Sequence, residues 1–373
     1  MSPIVLGAGP AGCTAAITLA RGGARPLLLD RQERVGDAIC GGFLSWRTAA
    51  QLRDVGCDPA AMGAWPVRRL VLFAHRRRVE AALPATGYGL SRHALDRAMR
   101  RAAVAAGAQL QFDHARSVEP GIVHGKAQKW RGDAVLLAAG KHDVRGATRP
   151  REANDPAVGL RLRINGSAAL ADLVGDAIEL HLFTGGYAGI ERQEGGSVNI
   201  CLAVRKSLLK AANGDPAALL AQLGRNYPAF GERMQHAPAS PAIDTIAAVP
   251  YGLIAKETAP GLFRLGDQAA VIPSLAGEGM SIAVASGLAA AQAYLAGGAE
   301  AAPAYQRRFA ARAWRPVRTA QLVWHLAERE WGAAALLSLA QAAPPLTRAV
   351  MDLSRIAQPT RVIQLWRSAA VPS

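Results

Sequence analysis

The sequence predicts an α/β fold in which a dinucleotide-binding, mostly parallel sheet receives an inserted antiparallel sheet and is followed by a helical C-terminus. Three observations carry that expectation. The chain opens with "IVLGAGPAGCTAAITLARGGARPLLLD", an apolar run, three spaced glycines and a terminal acid. Its middle alternates apolar and polar residues with period two, the pattern of half-buried strands. Beyond about residue 300 the pattern is helical and interrupted by Pro316, Pro344-Pro345 and Pro359.

In the opening segment, Ile4 to Leu6 reads as a buried strand, the glycines as a sharp turn into a helix ending near Arg21, and Pro26 to Leu29 as a second strand. Gly7 permits the turn, Gly9 lets a pyrophosphate approach the backbone, and Gly12 lets helix and strand pack closely. Phosphates then lie on the helix N-terminus, and Asp30 is placed to accept from a ribose hydroxyl. This Rossmann-like unit holds an ADP moiety, which either FAD or NAD supplies. A second signature lies far downstream. Leu262 to Leu265 reads as a strand followed by "GDQAAVIPSLAGEGMSIAVASG", in which Gly266-Asp267 ends the strand and Gly277-Glu278-Gly279-Met280 opens a long helix.

That second motif resembles the flavin motif of the FAD-dependent oxidoreductases related to aromatic hydroxylases and geranylgeranyl reductases. The resemblance covers roughly residues 1 to 300 and implies a glutathione reductase-type, p-hydroxybenzoate hydroxylase-like fold with FAD as cofactor. It implies that Asp267 holds the ribityl chain and that the glycine-opened helix points its N-terminus at the flavin ring, where a positive helix end favours the anionic reduced flavin. Three more stretches carry it. "YGLSRHALDRAMRRAAVAAGAQL" starts a helix with Ser91 as cap and puts Arg92 at the flavin, "DAVLLAAGKHDVR" is a strand returning to the cofactor, and "DAICGGFLSWR" brings Cys40-Gly41-Gly42 near the ring. The cofactor site implied is Gly7, Gly9, Pro10, Ala11, Gly12, Asp30, Arg31, Gly41, Arg92, Ala139, Gly140, Gly266, Asp267, Gly277, Gly279 and Met280. Hydroxylases carry Asp-Gly where this chain has Ala139-Gly140, so NAD(P)H stands as a candidate transient electron donor without a binding motif of its own.

Between the flavin motifs, Val158 to Ile164, Ile178 to Leu182 and Val198 to Val204 supply the alternating strands of a substrate domain. The expected division is residues 1–72 with 90–155 and 245–300 for FAD, 73–89 with 156–244 for substrate, and 301–373 as a C-terminal helical segment. That last segment carries ten arginines against three acids. Its apolar residues, Leu322, Val323, Leu326, Leu336, Leu337 and Leu339, are expected to pack on the FAD domain and not to face a membrane.

With 373 residues, half of them apolar, the chain can bury a large core in two joined domains. Its net charge of +15 comes mostly from scattered arginines, without the aromatic interleaving of a nucleic-acid binder. No nucleic-acid partner is therefore expected, while a peripheral membrane or anionic carrier contact is compatible with the charge, and oligomeric state is not legible. Four cysteines without a C-x-x-C pair, and histidines without metal spacing, point to a reducing compartment and no metal. The absence of a signal-like start points to the cytoplasm. The uncharged stretch Gly279 to Ala299 is rich in small residues and contains Gln292, which favours a buried helix over a membrane span.

Cys40, beside the expected flavin, and Tyr187, at the substrate sheet, are the candidate catalytic residues. Glu278 reads as a complement to a helix dipole, and His75 as part of a solvated hairpin. The leading functional expectation is a FAD-dependent monooxygenase hydroxylating a hydrophobic aromatic or polyketide-like small molecule, since oxygen chemistry of this kind needs no protein acid. A flavin-dependent reductase of C=C bonds in a prenyl or lipid chain is the alternative, suggested by Cys40-Gly41-Gly42. A non-catalytic flavin-binding or nucleic-acid-associated protein is the alternative of another class. A halogenase is disfavoured because Trp-x-Trp-x-Ile-Pro is missing.

Overall fold

The computed structural model describes residues 2–150 and 154–357. A five-stranded, wholly parallel sheet runs in the order β16 (Leu262–Arg264), β10 (Val135–Leu137), β1 (Ile4–Leu6), β2 (Leu27–Asp30) and β6 (Gln109–Phe112). Its three central strands are almost continuously apolar because both faces are covered, one by helices and the other by a small antiparallel flap. On one side α1 (Pro10–Arg21) is clamped between α3 (Arg92–Ala105) and α8 (Gly279–Gly297). The approach of α1 to α8 needs Gly287, where a Cβ would lie 2.3 Å from the Ala11 carbonyl oxygen. A three-stranded antiparallel flap, β7 (Ala115–Glu119), β8 (Ile122–Gly125) and β9 (Lys129–Arg131), closes the far side of the sheet.

The second sheet has eight strands, in the order β15 (Asp244–Val249), β11 (Ala157–Ile164), β14 (Val198–Arg205), β13 (Gly186–Arg192), β12 (Ala177–Phe183), β4 (Trp65–Ala74), β5 (Arg77–Gly89) and β3 (Phe43–Leu44). It is antiparallel except for the β12–β4 pair. Its extent differs from the division expected from the pattern. Residues from Trp65 onward already belong to it, and so does the whole of β15, because both segments find ladder partners only there.

Register explains the two faces of this sheet. Val158, Leu160, Leu162 and Ile164 sit opposite Val204, Leu202, Ile200 and Val198. They pack against α6 (Pro216–Asn226) and α7 (Pro228–Met234), while α4 (Ala168–Val174) and α5 (Lys206–Ala211) complete that layer. The intervening residues face the other way and are not solvated, against expectation. Arg161 is 7% exposed and pairs with Asp37 and Asp244, because the loop before β3 is folded over this face.

At the C-terminus, α9 (Ala302–Ala327) runs straight through Pro316, which was expected to break it. Proline in a helix interior costs about 3 kcal/mol, and here Tyr305, Phe309, Val317 and Trp324 bury along one side of the helix and offset it. Pro344 instead starts α11 (Pro344–Leu353) at its first turn, after α10 (Glu330–Ala342). Pro359 lies outside the described residues. The segment also packs differently from expectation. Only α9 reaches the parallel sheet, whereas α10 and α11 lie on β4, β5 and β12, with Leu337 fully buried. The stretch Gly279–Ala327 is long and apolar enough to cross a membrane by length and composition, although much of α8 is core.

Candidate cofactor and substrate site

One cavity of about 610 Å³ joins the two sheets. Gly9, Pro10, Ala11, Arg92, Gly140, Gly266, Asp267, Gly277, Gly279 and Met280 line one end of it, and the front of the eight-stranded sheet with α9, α10 and α11 lines the other.

The cofactor end is made largely of backbone. Gly7 has φ +108°, and a Cβ there would lie 2.4 Å from the Ala138 carbonyl oxygen. A Cβ on Gly12 would lie 1.8 Å from the Gly7 carbonyl oxygen. Gly9 differs, since its Cβ position meets only an Arg92 guanidinium nitrogen at 3.4 Å, and Gly41, Gly140 and Gly279 have open space at theirs. Neither α1 nor α8 receives a side-chain cap, so first-turn N–H groups of two helices open into the cavity, as an anionic or electron-rich ligand requires. An extended dinucleotide with a phosphate centre fits that arrangement.

Charged side chains around this end are held by partners. Asp30 accepts from the Ala8 N–H at 2.7 Å and the Gln32 N–H at 2.9 Å and pairs with Arg100 at 2.9 Å. Arg92 is fixed by a two-pronged contact to Asp96, at 2.9 and 2.8 Å, while Ser91 caps α3. Gln268, fully buried behind Asp267, donates to the carbonyls of Gly140 and His142 and so ties the ends of β10 and β16 together.

Cys40, Gly41 and Gly42 cross the middle of the cavity. Asn199 donates to the carbonyl oxygens of Cys40 and Gly41 at 3.2 and 2.8 Å, and the Gly42 N–H donates to the Cys40 Sγ at 3.5 Å. Gly42 has φ +84°, and its missing Cβ would meet the Gln193 amide at 2.0 Å and the Glu191 carboxyl at 2.4 Å. Glu191 is buried, accepts from Gln193 at 3.0 Å and has no directly paired cation among the described residues. Burial therefore pushes its carboxyl well above the usual carboxylate range.

At the substrate end, Leu72, Ile178, Leu180, Leu182, Val323 and Leu326 give an apolar wall. Polar groups are few there. Tyr187 donates to the Ser274 Oγ at 2.7 Å, and the Tyr251 hydroxyl lies 2.6 Å from the same oxygen. Burial raises both phenols above their ordinary range and pushes the Cys201 thiol up to about 12, so none of the three ionises at neutral pH.

Most of the sequence-predicted residues thus converge, including Cys40 and Tyr187. Gly7 and Gly12 shape the turn from behind, Ala139 and Asp30 lie off the cavity lining, and Arg31 is exposed with a 3.0 Å contact to His142. Glu278 requires correction. It is fully buried at the start of α8, but its carboxylate turns toward Arg355, 3.2 Å away, and leaves the helix N–H groups uncapped. Arg355 in turn lies 3.9 Å over the Trp46 ring, so this acid ties the C-terminal roof to α8. His75 does sit at the turn of an exposed hairpin, 3.3 Å from Glu330. Tyr251, Asn199 and the roof helices carried no motif, and Ser274, although inside the second signature, was not singled out. Only the facing polar positions Glu191 and Asn199 on two period-two strands could have signalled the buried polar face.

Comparison with known proteins agrees with this geometry. Residues 2–127 match the family described as an FAD binding domain. The chain is 28% identical over 313 residues to digeranylgeranylglycerophospholipid reductase 2 of Methanopyrus kandleri, covering 76% of this chain and 74% of that protein. Among solved structures, Klebsiella pneumoniae HpxO complexed with FAD and uric acid superposes with a TM-score of 0.75 at 16% identity, covering 95% and 96% of the two chains. A flavin-dependent brominase superposes at 0.73 with 17% identity, covering 95% and 92%. Pseudomonas aeruginosa PqsL in complex with 2-aminobenzoylacetate superposes at 0.69 with 16% identity, covering 91% and 99%. These three share the fold.

Proposed function

We propose that this FAD-dependent oxidoreductase is a monooxygenase that hydroxylates a hydrophobic aromatic or polyketide-like small molecule. The observation that carries the reading is the single cavity running from the two uncapped helix ends to an apolar wall without charged side chains on the sheet. FAD supplies the redox chemistry, delivering reducing equivalents to dioxygen when bound.

The chain's own residues bind, orient and exclude water. Gly9, Pro10, Ala11 and the start of α1 hold the pyrophosphate, with Gly7 and Gly12 setting the turn and Asp30 and Arg31 serving the adenosine side. Gly266 and Asp267 hold the ribityl chain. Gly277, Gly279 and Met280 present the α8 N-terminus to the ring, with Gly41, Arg92 and Gly140 around it and Ala139 behind them, off the cavity lining. Cys40 and Tyr187 both line the cavity and are the candidate residues at the reacting centre. The strands from Trp65 to Val249 act as the substrate platform and α9 to α11 as its roof, which keeps water from the apolar end. NAD(P)H serves as transient donor. The free cysteines support a reducing, cytoplasmic setting.

Oxygen consumption by the reduced protein tests this. It is expected to accelerate when an alkylated aromatic compound is added, with one atom of labelled dioxygen appearing in the product. Oxygen uptake that yields only hydrogen peroxide with every aromatic tried would reject hydroxylation. A second reading, reduction of prenyl C=C bonds, is favoured by Cys40-Gly41-Gly42 at the cavity and by the reductase relative. It predicts anaerobic reoxidation of the flavin by a geranylgeranyl lipid with a saturated product.

A further inference from the structure

The apolar end of the cavity contains a polar device that the hydroxylase reading does not require. Tyr187, on β13, Tyr251, after β15, and Ser274, in the loop before α8, come from three separate segments and meet at one oxygen. Trp324 of α9 stands edge-on to both phenol rings, with centroids 5.7 Å from Tyr187 and 5.8 Å from Tyr251. The rings are thereby fixed from the roof side. Around them Leu180, Leu182, Val271 and Leu326 offer no hydrogen-bonding group.

Proton counting shows what such a cluster does. Three hydroxyls bring three O–H donors, but only two contacts join one hydroxyl to another, Tyr187 to Ser274 and Ser274 to Tyr251, and the backbone of Ser274 adds a donor and no acceptor. Tyr187 spends its hydrogen on Ser274. Whichever way the second contact runs, one O–H, on Ser274 or on Tyr251, has no acceptor among the described residues. Ser274 and Tyr251 both line the cavity, so the surplus donor is available to its contents. Ser274 is exposed to the open cavity, so water takes the surplus donor in the free protein, and a ligand that displaces this water keeps the hydrogen bond only if it brings an acceptor oxygen of its own.

We propose that Tyr187, Ser274 and Tyr251 form a recognition site for one acceptor oxygen, a ketone or quinone carbonyl or a phenol oxygen, carried on an otherwise apolar substrate. This rests on the reading of the cavity as the substrate site. Both phenols stay neutral, so the cluster orients the substrate and does not remove a proton from it. A pure polyprenyl hydrocarbon segment gains nothing from the site.

The test uses the FAD-loaded, oxidised protein without reductant, so turnover plays no part. Two probes, 4-butylacetophenone and 1-butyl-4-isopropylbenzene, have similar shape and differ in one carbonyl. Binding is read from the perturbation of flavin absorbance. The ketone-to-hydrocarbon affinity ratio is expected to be about 3- to 10-fold higher in the wild type than in the triple variant Tyr187→Phe/Ser274→Ala/Tyr251→Phe, the range of one net hydrogen bond. All three hydroxyls must go, because removing Ser274 alone or with Tyr251 frees the O–H of Tyr187, which also lines the cavity. Retained hydrocarbon binding by the triple variant shows that its cavity is intact. Tyr187→Phe should keep the preference, because Ser274 and Tyr251 still hold two donors for one contact. An unchanged ratio in a folded triple variant overturns the acceptor site alone. Failure of both probes to bind the wild type overturns the substrate-cavity reading together with it.

Discussion

The two ends of the cavity are built by different means. At the cofactor end, recognition is assigned to glycines, helix termini and backbone amides, and the side chains there are tied down by protein partners, as Asp30 is by Ala8 and Arg100. At the substrate end, recognition falls to side chains delivered by strands and helices remote in sequence, such as Leu180 and Leu326. The contrast teaches where sequence and function are tightly coupled. A backbone approaching a phosphate tolerates few residue types, whereas many apolar side chains make an equivalent wall.

Substitutions can break or sharpen that contrast. The largest effect is expected at Gly12, where Gly12→Ala would drive a Cβ into the Gly7 carbonyl oxygen at 1.8 Å and abolish the folded protein. Gly9→Val is the informative partner, because Gly9 has extended backbone and space for a Cβ. It should melt like the wild-type apoprotein yet retain no FAD after gel filtration. At the other end, Leu337→Ala empties a fully buried position between the roof and the sheet. It should cost about 2–5 kcal/mol in urea unfolding with flavin content per folded molecule unchanged. A loss of flavin there would mean that the two ends are not separable.

Asp267→Ala should do the reverse, weakening FAD by about 1.5–3 kcal/mol for a lost hydrogen bond to a charged group, with apoprotein stability unaffected. Fluorescence titration of the apoprotein with FAD measures it. The smallest effect is expected between the ends, at Glu191. Burial holds its folded-state pKa above the unfolded value despite the Gln193 hydrogen bond, with Arg163 and Glu194 as the nearest charged groups in opposition. Its contribution to stability is therefore full below the ordinary carboxylate range and is lost as pH rises from that range toward the raised value. Glu191→Gln, which resembles the neutral acid, should flatten this part of the pH–stability curve. An unchanged slope between pH about 4 and 7 would show that Glu191 ionises freely in the fold.

The same contrast explains what was legible. The strand, turn and helix from Ile4 to Arg21, the acid at Asp30, and the strand and helix around Asp267 and Gly279 were readable because each follows from local backbone chemistry. The period-two strands were readable as strands, but their polar face was not readable as buried, since Arg161 finds Asp37 and Asp244 only through the fold. Pro316 misled because local propensity was overridden by the burial of α9. Glu278 suggested a helix-dipole role, while its partner Arg355 lies far downstream in a segment without a motif. Tyr187 was singled out and Ser274 lay inside the second signature, but their meeting with Tyr251 was invisible because three segments remote in sequence come together only in the fold.

In the proposed reaction, electrons brought to the flavin end are spent on dioxygen at the apolar end. The most direct measurement is to reduce the FAD-loaded protein anaerobically, divide it, and offer one portion labelled dioxygen with an alkylated aromatic ketone and the other a geranylgeranyl lipid without oxygen. A monooxygenase puts one labelled oxygen atom in the aromatic product and keeps its flavin reduced with the lipid. Rapid anaerobic reoxidation by the lipid with a saturated product, and no label in the aromatic compound, would contradict it.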